Sequence, residues 1–471
     1  MVTHLQRTTP PSLLLGFLSE YDLLKKQLCS LVIGSHPSRS TWIQACLNLA
    51  DGGLGYHDVI RSGYAAYVAA IFQSSVALRR IDPQIFESEI PVISAFNDSL
   101  NACSQLSGLP NSLSFNDIAT INDSSFDHSI NQSSNLQSKI YNLQCNHARD
   151  SLVDSFNDLN QIAWYRSNVA DDARHAAYLS VLPKNAYFTF SNEEFLILTR
   201  RLLYLDIHLH IPCISKCCNN PKHANCDSKG TQMSVCAKGG YRIQTHDALN
   251  LEIQSMLSVA GICSTREERG IFQANSLDCN KRGDLTVLNI SQSTAKQDGK
   301  KPTTLPFVPD NPDGRISELL LDTTVVHPLP GPNSKHKLSL IEAKQNLRAA
   351  DKARARKKKK YDVICAQNGL KFLPIIFEST GKMHPLLQDF LAVVMDTMTM
   401  HINPQYKHIT MFYWSARLSC CLQKSIAKSL SRKYSASNGL AAKGLHFSHP
   451  HRELSIERDL TLLSIGVAAY A

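Results

Sequence analysis

The apolar period of this chain changes once, near residue 262. Upstream, apolar residues recur at helical spacing in "SLLLGFLSEYDLLKKQL", in "GYAAYVAAIFQSSVALRRI" and in "EEFLILTRRLLYLDIHL", where Leu196, Leu198, Leu202, Leu203 and Leu205 are expected on one buried face. "HDALNLEIQSMLSVAGI" puts Leu249, Ile253, Met256, Leu257 and Ala260 on one helical face, with Gly261 as its stop. Downstream, "GDLTVLNI", "ELLLDTTVVHP" and "KFLPIIFES" read as strands, and a long basic helix over about 338–367 separates the second from the third. The order is therefore helix, strand, strand, helix, strand.

A chain of 471 residues exceeds one ordinary core, so two or three domains are expected. Residues 1–108 read as helical and 109–150, rich in Asn and Ser, as a linker or insertion. Helical patterns resume over 151–212, a cysteine-rich segment fills 213–246, the strands lie within 247–400, and 401–471 reads as a C-terminal helical extension. The start does not resemble a signal peptide, and no apolar run reaches the ~18 residues that a membrane span needs, so no membrane partner is expected. A formal net charge of +9 leans toward polyanionic partners, nucleic acid among them. Oligomeric state is not readable.

Of fourteen cysteines, five (Cys213, Cys217, Cys218, Cys226 and Cys236) crowd into one short polar segment. With His223 and His246 nearby, they offer more thiolate and imidazole groups than the four a structural zinc requires. A loop this polar cannot order itself by burial alone, which favours a metal over free surface cysteines. The preferred ligands are Cys217 or Cys218, Cys226, Cys236 and His246, with His223 in reserve.

Two acids interrupt the strands. Asp284 opens "DLTVLNI" and Asp322 sits inside "ELLLDTTVVHP", among Leu, Val and Thr, where an ionised carboxylate is costly unless paired or metal-bound. Carboxylates on neighbouring strands can share Mg²⁺. In "RAADKARARKKKKYDVICAQNGL", Lys352, Arg354, Arg356, Lys358 and Lys359 read as a solvated, phosphate-contacting or nuclear-localising face. Lys357 or Lys360, just before Tyr361, could instead turn toward the acids and stabilise charge on a phosphate. Glu342-Ala343-Lys344 has the carboxylate-x-lysine form too, but lies in a helical stretch and ranks second.

Taken together, "WIQACLNLADGGLGYHDVIRSGYAAYVAAI", "GYRIQTHDALNLEIQSMLSVAGI", "KRGDLTVLNI", "ELLLDTTVVHP" and "RKKKKYDVICAQNGLKFLPIIFESTGKMHP" resemble the C-terminal part of non-LTR (LINE-type) retrotransposon polyproteins. The resemblance implies a thumb-like helical region, a Cys/His zinc motif and a restriction-endonuclease-like domain of PD-(D/E)xK type. It also implies that Asp284 and Asp322 hold the metal, that Lys357 or Lys360 is the lysine before the tyrosine, and that Glu378 is an acid following the last strand. Gly283 replaces the family's proline before Asp284, and the gap to Asp322 is longer than usual.

The expected fold class is α+β: a mostly helical N-terminal half, a small zinc-binding linker, then an α/β domain whose small mixed sheet is flanked by helices. The expected activity is Mg²⁺-dependent nicking of DNA in the nucleus to prime reverse transcription, with element RNA as a further partner. A catalytically inactive remnant that binds nucleic acid non-specifically is the alternative. No Tyr/Phe-x-Asp-Asp stretch is found, so no polymerase activity is expected, and the chain reads as a fragment of such a polyprotein.

Overall fold

The computed structural model describes residues 2–87, 91–108, 136–170, 173–207, 227–235, 240–267, 283–288, 318–330, 339–400 and 403–437. It divides into two compact units, Met1–Ile162 and Ala163–Ala471. The described residues are mostly helical, with one small mixed four-stranded sheet, an α+β fold. No described helix is long and apolar enough to cross a membrane.

The first unit holds α1 (Val2–Thr8), α2 (Pro11–Ile33), α3 (Arg39–Cys46), α4 (Val59–Ile81), α5 (Pro91–Leu106) and α6 (Leu136–Asp154). Helix α4 is its centre, packing Ala65, Tyr67, Val68 and Ala69 against Phe96, Leu100 and Cys103 of α5 and Leu136 and Ile140 of α6. The Gly-rich turn before it is demanded by space. At Gly53 a Cβ would lie 2.1 Å from the Leu47 carbonyl oxygen. Asp58 then caps α4 by accepting the Ile60 and Arg61 N–H groups.

Helix α6 begins inside the stretch expected to be a linker. Its buried stripe, Leu136, Ile140, Gln144, Ala148 and Leu152, has perfect four-residue spacing. A glutamine and an alanine occupy its middle, which is why an apolar count overlooks it; in the core the Gln144 amide donates to Cys103 Sγ at 3.4 Å, while its Oε1 has no hydrogen-bond partner among the described residues.

The second unit is built on strands β1 (Ser264–Arg266), β2 (Leu285–Val287), β3 (Leu319–Val326) and β4 (Lys371–Glu378), in that spatial order. β1, β2 and β3 run antiparallel in turn, and β3 pairs with β4 in parallel. The chain between β3 and β4 carries α11 (Leu340–Ala343) and α12 (Arg348–Gln367), so the expected single basic helix is broken. The break falls at Leu347, whose φ of 56° cannot continue a helix. Strand β1 was not anticipated, since "STR" offers three residues and no apolar alternation.

Both faces of the sheet are covered, so β3 reads as a near-continuous apolar run. On one face Leu319, Leu321, Leu373, Ile375 and Phe377 pack on α10 (Tyr241–Val259), α13 (Pro385–Met400) and α14 (Lys407–Ser437). On the other, Leu320 meets Tyr361, Ile364 and Cys365 of α12, and Val326 and Ile376 meet Ala349, Ala350 and Ala353.

Residues 401–471 do not form a separate extension where they are described. Trp414, Leu418, Leu422, Ile426 and Leu430 of α14, four residues apart, enter the same core as the sheet. Helix α8 (Asn192–Leu202) joins it through Ile197 and Leu198. Helices α7 (Leu159–Ser167) and α9 (Thr231–Val235) complete the described α-helices.

The turn after β4 has no room for a side chain at its glycine. Gly381 has φ of 106°, and a Cβ there would lie 2.3 Å from the His175 carbonyl oxygen. Gly381→Ala is therefore expected to cost at least about 2 kcal/mol, read from the urea midpoint of unfolding, through backbone strain and the clash together.

Candidate active site

Asp284 immediately precedes β2. Leu285 pairs with Leu321, and the Asp284 N–H still donates to the Leu321 carbonyl at 2.9 Å. One step further along this register, Asp284 lies beside Asp322. Here the side chain takes over from the ladder: the Thr323 N–H donates to Asp284 Oδ2 at 2.5 Å. Gly283 packs so closely on buried Leu320 that a Cβ would lie 2.2 Å from its Cδ1, so the residue before Asp284 must be small.

Asp322 points to the α12 face, between Leu320 and Val326. It is 4 % exposed and forms an ion pair with Lys357. The choice of Lys357 follows from helical geometry. Ala349, Ala353, Lys357 and Tyr361 are successive i, i+4 positions, and the alanines and the tyrosine are buried, so Lys357 occupies the sheet-facing stripe of α12. Lys360 is exposed and donates to the Tyr361 hydroxyl at 2.7 Å, and that hydroxyl bonds Asp322 in turn. Both candidate lysines therefore reach Asp322, one directly and one through Tyr361.

Burial pushes the Asp322 carboxyl above the usual carboxylate range; Lys357 opposes the shift and the charge of Asp284 adds to it. The Tyr361 hydroxyl is likewise held above its ordinary value by burial and the Asp322 charge.

His246, expected among the zinc ligands, is directed elsewhere. Its Nε2–H donates to Asp284 Oδ2 at 2.8 Å and its Nδ1 lies 3.1 Å from Asp247 Oδ1, so carboxylates engage both ring nitrogens. The hydrogen bond to Asp284 raises its pKa to about 9, which makes it an imidazolium at neutral pH. One turn along α10, Asn250 Oδ1 accepts from Thr323 Oγ1 at 2.6 Å and ties the helix to β3. The other proposed zinc ligands, Cys217, Cys218, His223, Cys226 and Cys236, lie outside the described residues.

Glu378 is not part of this constellation. It pairs with Val326, whereas Pro374 pairs with Asp322, so it lies four residues along the sheet, about 13 Å at ~3.3 Å per residue. It accepts from the Ala350 N–H in the first turn of α12. Glu342, of the rival carboxylate-x-lysine stretch, is bound to Lys352 and caps α11. Of the basic residues expected to meet nucleic acid, Arg356, Lys358 and Lys359 are exposed and Arg354 is half-buried. Lys352 is held by Glu342, and Lys358 lies 3.5 Å from Asp362.

Among the described residues no group of three or more His, Cys, Asp or Glu side chains converges on one point. Magnesium does not need such a group, since one or two carboxylates suffice when water and substrate phosphate complete its shell. Asp284 and Asp322 fit that donor set, and the raised pKa of Asp322 marks a site where a divalent cation would favour the ionised form.

Beside the pair, a cleft of about 500 Å³ runs along the edge of β3 that β2 leaves uncovered, from His246 and Thr323 to His327 and Ser379. Sequence reasoning missed His246 as an Asp284 partner, together with Asn250, Thr323, His327 and Ser379. One signal was present: Asn250 interrupts the apolar stripe of α10 beside Leu249 and Ile253, as Asp322 interrupts β3. The chain matches no protein-family model, and no curated protein matches it in sequence.

Glu378 yields a pH prediction free of metal. It is buried, with Oε2 lacking a hydrogen-bond partner among the described residues, and burial lifts its pKa from 4.5 to about 7. The folded state keeps a proton that the unfolded chain releases in that window, so stability falls as pH rises from 4.5 to 7. Glu378→Gln should flatten this slope and gain up to about 3 kcal/mol on the parent above pH 7, in urea unfolding at pH 5 and pH 8.

Proposed function

We propose that the second unit is a metal-dependent DNA endonuclease of PD-(D/E)xK type, from the C-terminal part of a non-LTR retrotransposon polyprotein. It nicks target DNA to give the 3′ hydroxyl that primes reverse transcription. The observation that carries this reading is the pair Asp284 and Asp322 on adjacent strands, with Lys357 of the basic helix on Asp322. The resemblance in motif order supplies the retrotransposon part of the proposal.

In this reading Asp284 and Asp322 hold Mg²⁺, which when bound supplies an activated water and neutralises phosphate charge. Lys357 would release Asp322 to the cation and turn its ammonium to the scissile phosphate. Lys360 and Tyr361 would support it from the next turn of α12, and His246 holds the Asp284 carboxylate in place. Exposed Arg356, Lys358 and Lys359 would meet the backbone phosphates with strong salt dependence and no sequence preference. A structural zinc on the cysteine segment remains part of the proposal.

A second reading, a nucleic-acid-binding remnant without catalysis, is favoured by one observation. Each carboxylate already has a cation, Asp284 the His246 imidazolium and Asp322 the Lys357 ammonium.

Nicking of supercoiled plasmid with Mg²⁺ decides between the two. The parent should produce open circles and Asp322→Ala should lose at least about 100-fold in rate, as should Lys357→Ala. Equal rates in parent and Asp322→Ala, or none in either, would sink catalysis at this site while leaving salt-dependent binding to be scored by filter retention. For zinc, the purified parent should carry one equivalent by atomic emission and the Cys226→Ser, Cys236→Ser double variant none; an equal content in both removes the zinc assignment.

A further inference from the structure

We propose that the far end of the cleft, at His327 and Ser379 with the buried Arg201 behind them, is an anion subsite that takes a backbone phosphate of the bound strand. This deepens the nuclease reading and rests on it for the identity of the strand.

Arg201 lies in the last turn of α8 and is 5 % exposed. Its two terminal nitrogens donate to the carbonyl oxygen and to Oγ of Ser379, each at 2.9 Å. Its guanidinium lies 4.7 Å from the centre of the Trp164 ring, and the Trp164 Nε1–H donates to the Arg201 carbonyl at 2.7 Å. Every one of these partners is neutral. Among the described residues no carboxylate lies within ion-pair distance of Arg201. Glu378, its nearest acid in sequence terms through Ser379, faces α12. A buried cation held only by neutral groups is a site that lacks its counter-ion.

The hydrogen-bond chain also has a direction. Arg201 donates to Ser379 Oγ, which leaves the hydroxyl proton for His327 Nδ1 at 2.9 Å. His327 is held neutral by burial and by Arg201, so its proton sits on Nε2. That Nε2 is buried and has no hydrogen-bond partner among the described residues. The chain thus ends on an unpaired donor backed by a positive charge, and His327 and Ser379 both line the cleft. An anionic oxygen there would satisfy the donor and offset the guanidinium together.

Position argues for a strand phosphate. His327 is five residues beyond Asp322 and directly follows the end of β3, about 16 Å at ~3.3 Å per residue, which is within about five nucleotides at ~3.4 Å rise. The cleft runs to His327 from Thr323, the neighbour of Asp322, passing Thr324 and Val325. The rival occupant of His327 Nε2 is a single water, in the cavity of about 10 Å³ that His327 shares with Arg201 and Trp164.

The test has two arms on the full chain, both without Mg²⁺. In the first, inorganic phosphate is titrated into parent, His327→Phe, Ser379→Ala and Arg201→Lys, following ³¹P line width, with melting curves to confirm folding. The parent should bind, His327→Phe and Ser379→Ala should bind at least about tenfold more weakly, and Arg201→Lys should retain part of the affinity. No binding by the parent, or equal binding by parent and folded His327→Phe, overturns the subsite and leaves a water there.

In the second, an oligonucleotide duplex carries one uncharged methylphosphonate at successive positions. One position within about five nucleotides of the nick should weaken parent binding about tenfold and leave Ser379→Ala unaffected. Phosphate binding without any such position overturns the assignment to a strand phosphate. Phosphate binding in a protein that never nicks DNA keeps the subsite and removes the nuclease; nicking with no phosphate dependence does the reverse.

Discussion

Strand β3 is covered on both faces and yet carries a carboxylate in its middle, and the second unit is arranged around that fact. Asp322 can stay buried because α12 brings Lys357 to it, and Lys357 arrives because it lies on the same helical stripe as Ala349, Ala353 and Tyr361. Small residues at one end of that stripe let α12 approach the sheet at Val326 and Ile376, while Tyr361 and Ile364 fill the wider end at Leu320. The ion pair and the apolar packing thus demand one registration of helix on sheet. Removing Lys357 would strand the Asp322 carboxylate in a buried site without its counter-charge.

The short β2 strand has a second effect. Because it begins only at Leu285, the Asp284 side chain replaces the backbone as the acceptor for the Thr323 N–H. The uncovered edge of β3 then becomes the wall of a cleft instead of a site for a further strand, and His246 lines it on the α10 side. The cleft is electrically asymmetric. Asp247 and Glu267 lie at its Asp284 end, and the buried Arg201 stands behind its His327 end. A ligand with negative charge spaced along its length and a cation at one point would match that polarity.

Buried polar groups cluster at the turn that follows β4. Glu378, Ser379, Thr380, Lys382 and His384 are each at most 5 % exposed. Lys382 Nζ reaches the Arg166 carbonyl and Asn346 Oδ1, so this turn gathers α7, α12 and β4 around polar contacts instead of apolar ones. Networks of this kind specify one arrangement when satisfied, and Glu378 Oε2 and Thr380 Oγ1, buried without a hydrogen-bond partner among the described residues, are where this one departs from that rule.

Much of this was legible in one dimension. The helical stripes of α4, α10 and α12, the strand period of β2, β3 and β4, and the anomaly of Asp322 all follow from spacing and from the cost of a carboxylate among leucines. The same spacing hid α6, whose stripe runs through Gln144 and Ala148, and it detached α14 from the core it completes. What no spacing could reveal is which side chains from distant segments meet: His246 with Asp284, Arg201 with Ser379, Lys382 with Asn346. Periodicity reports which face of one element is buried, because burial depends on that element's own geometry. Partnership depends on strand register and helix rotation across the whole unit, and those are settled only when the elements pack.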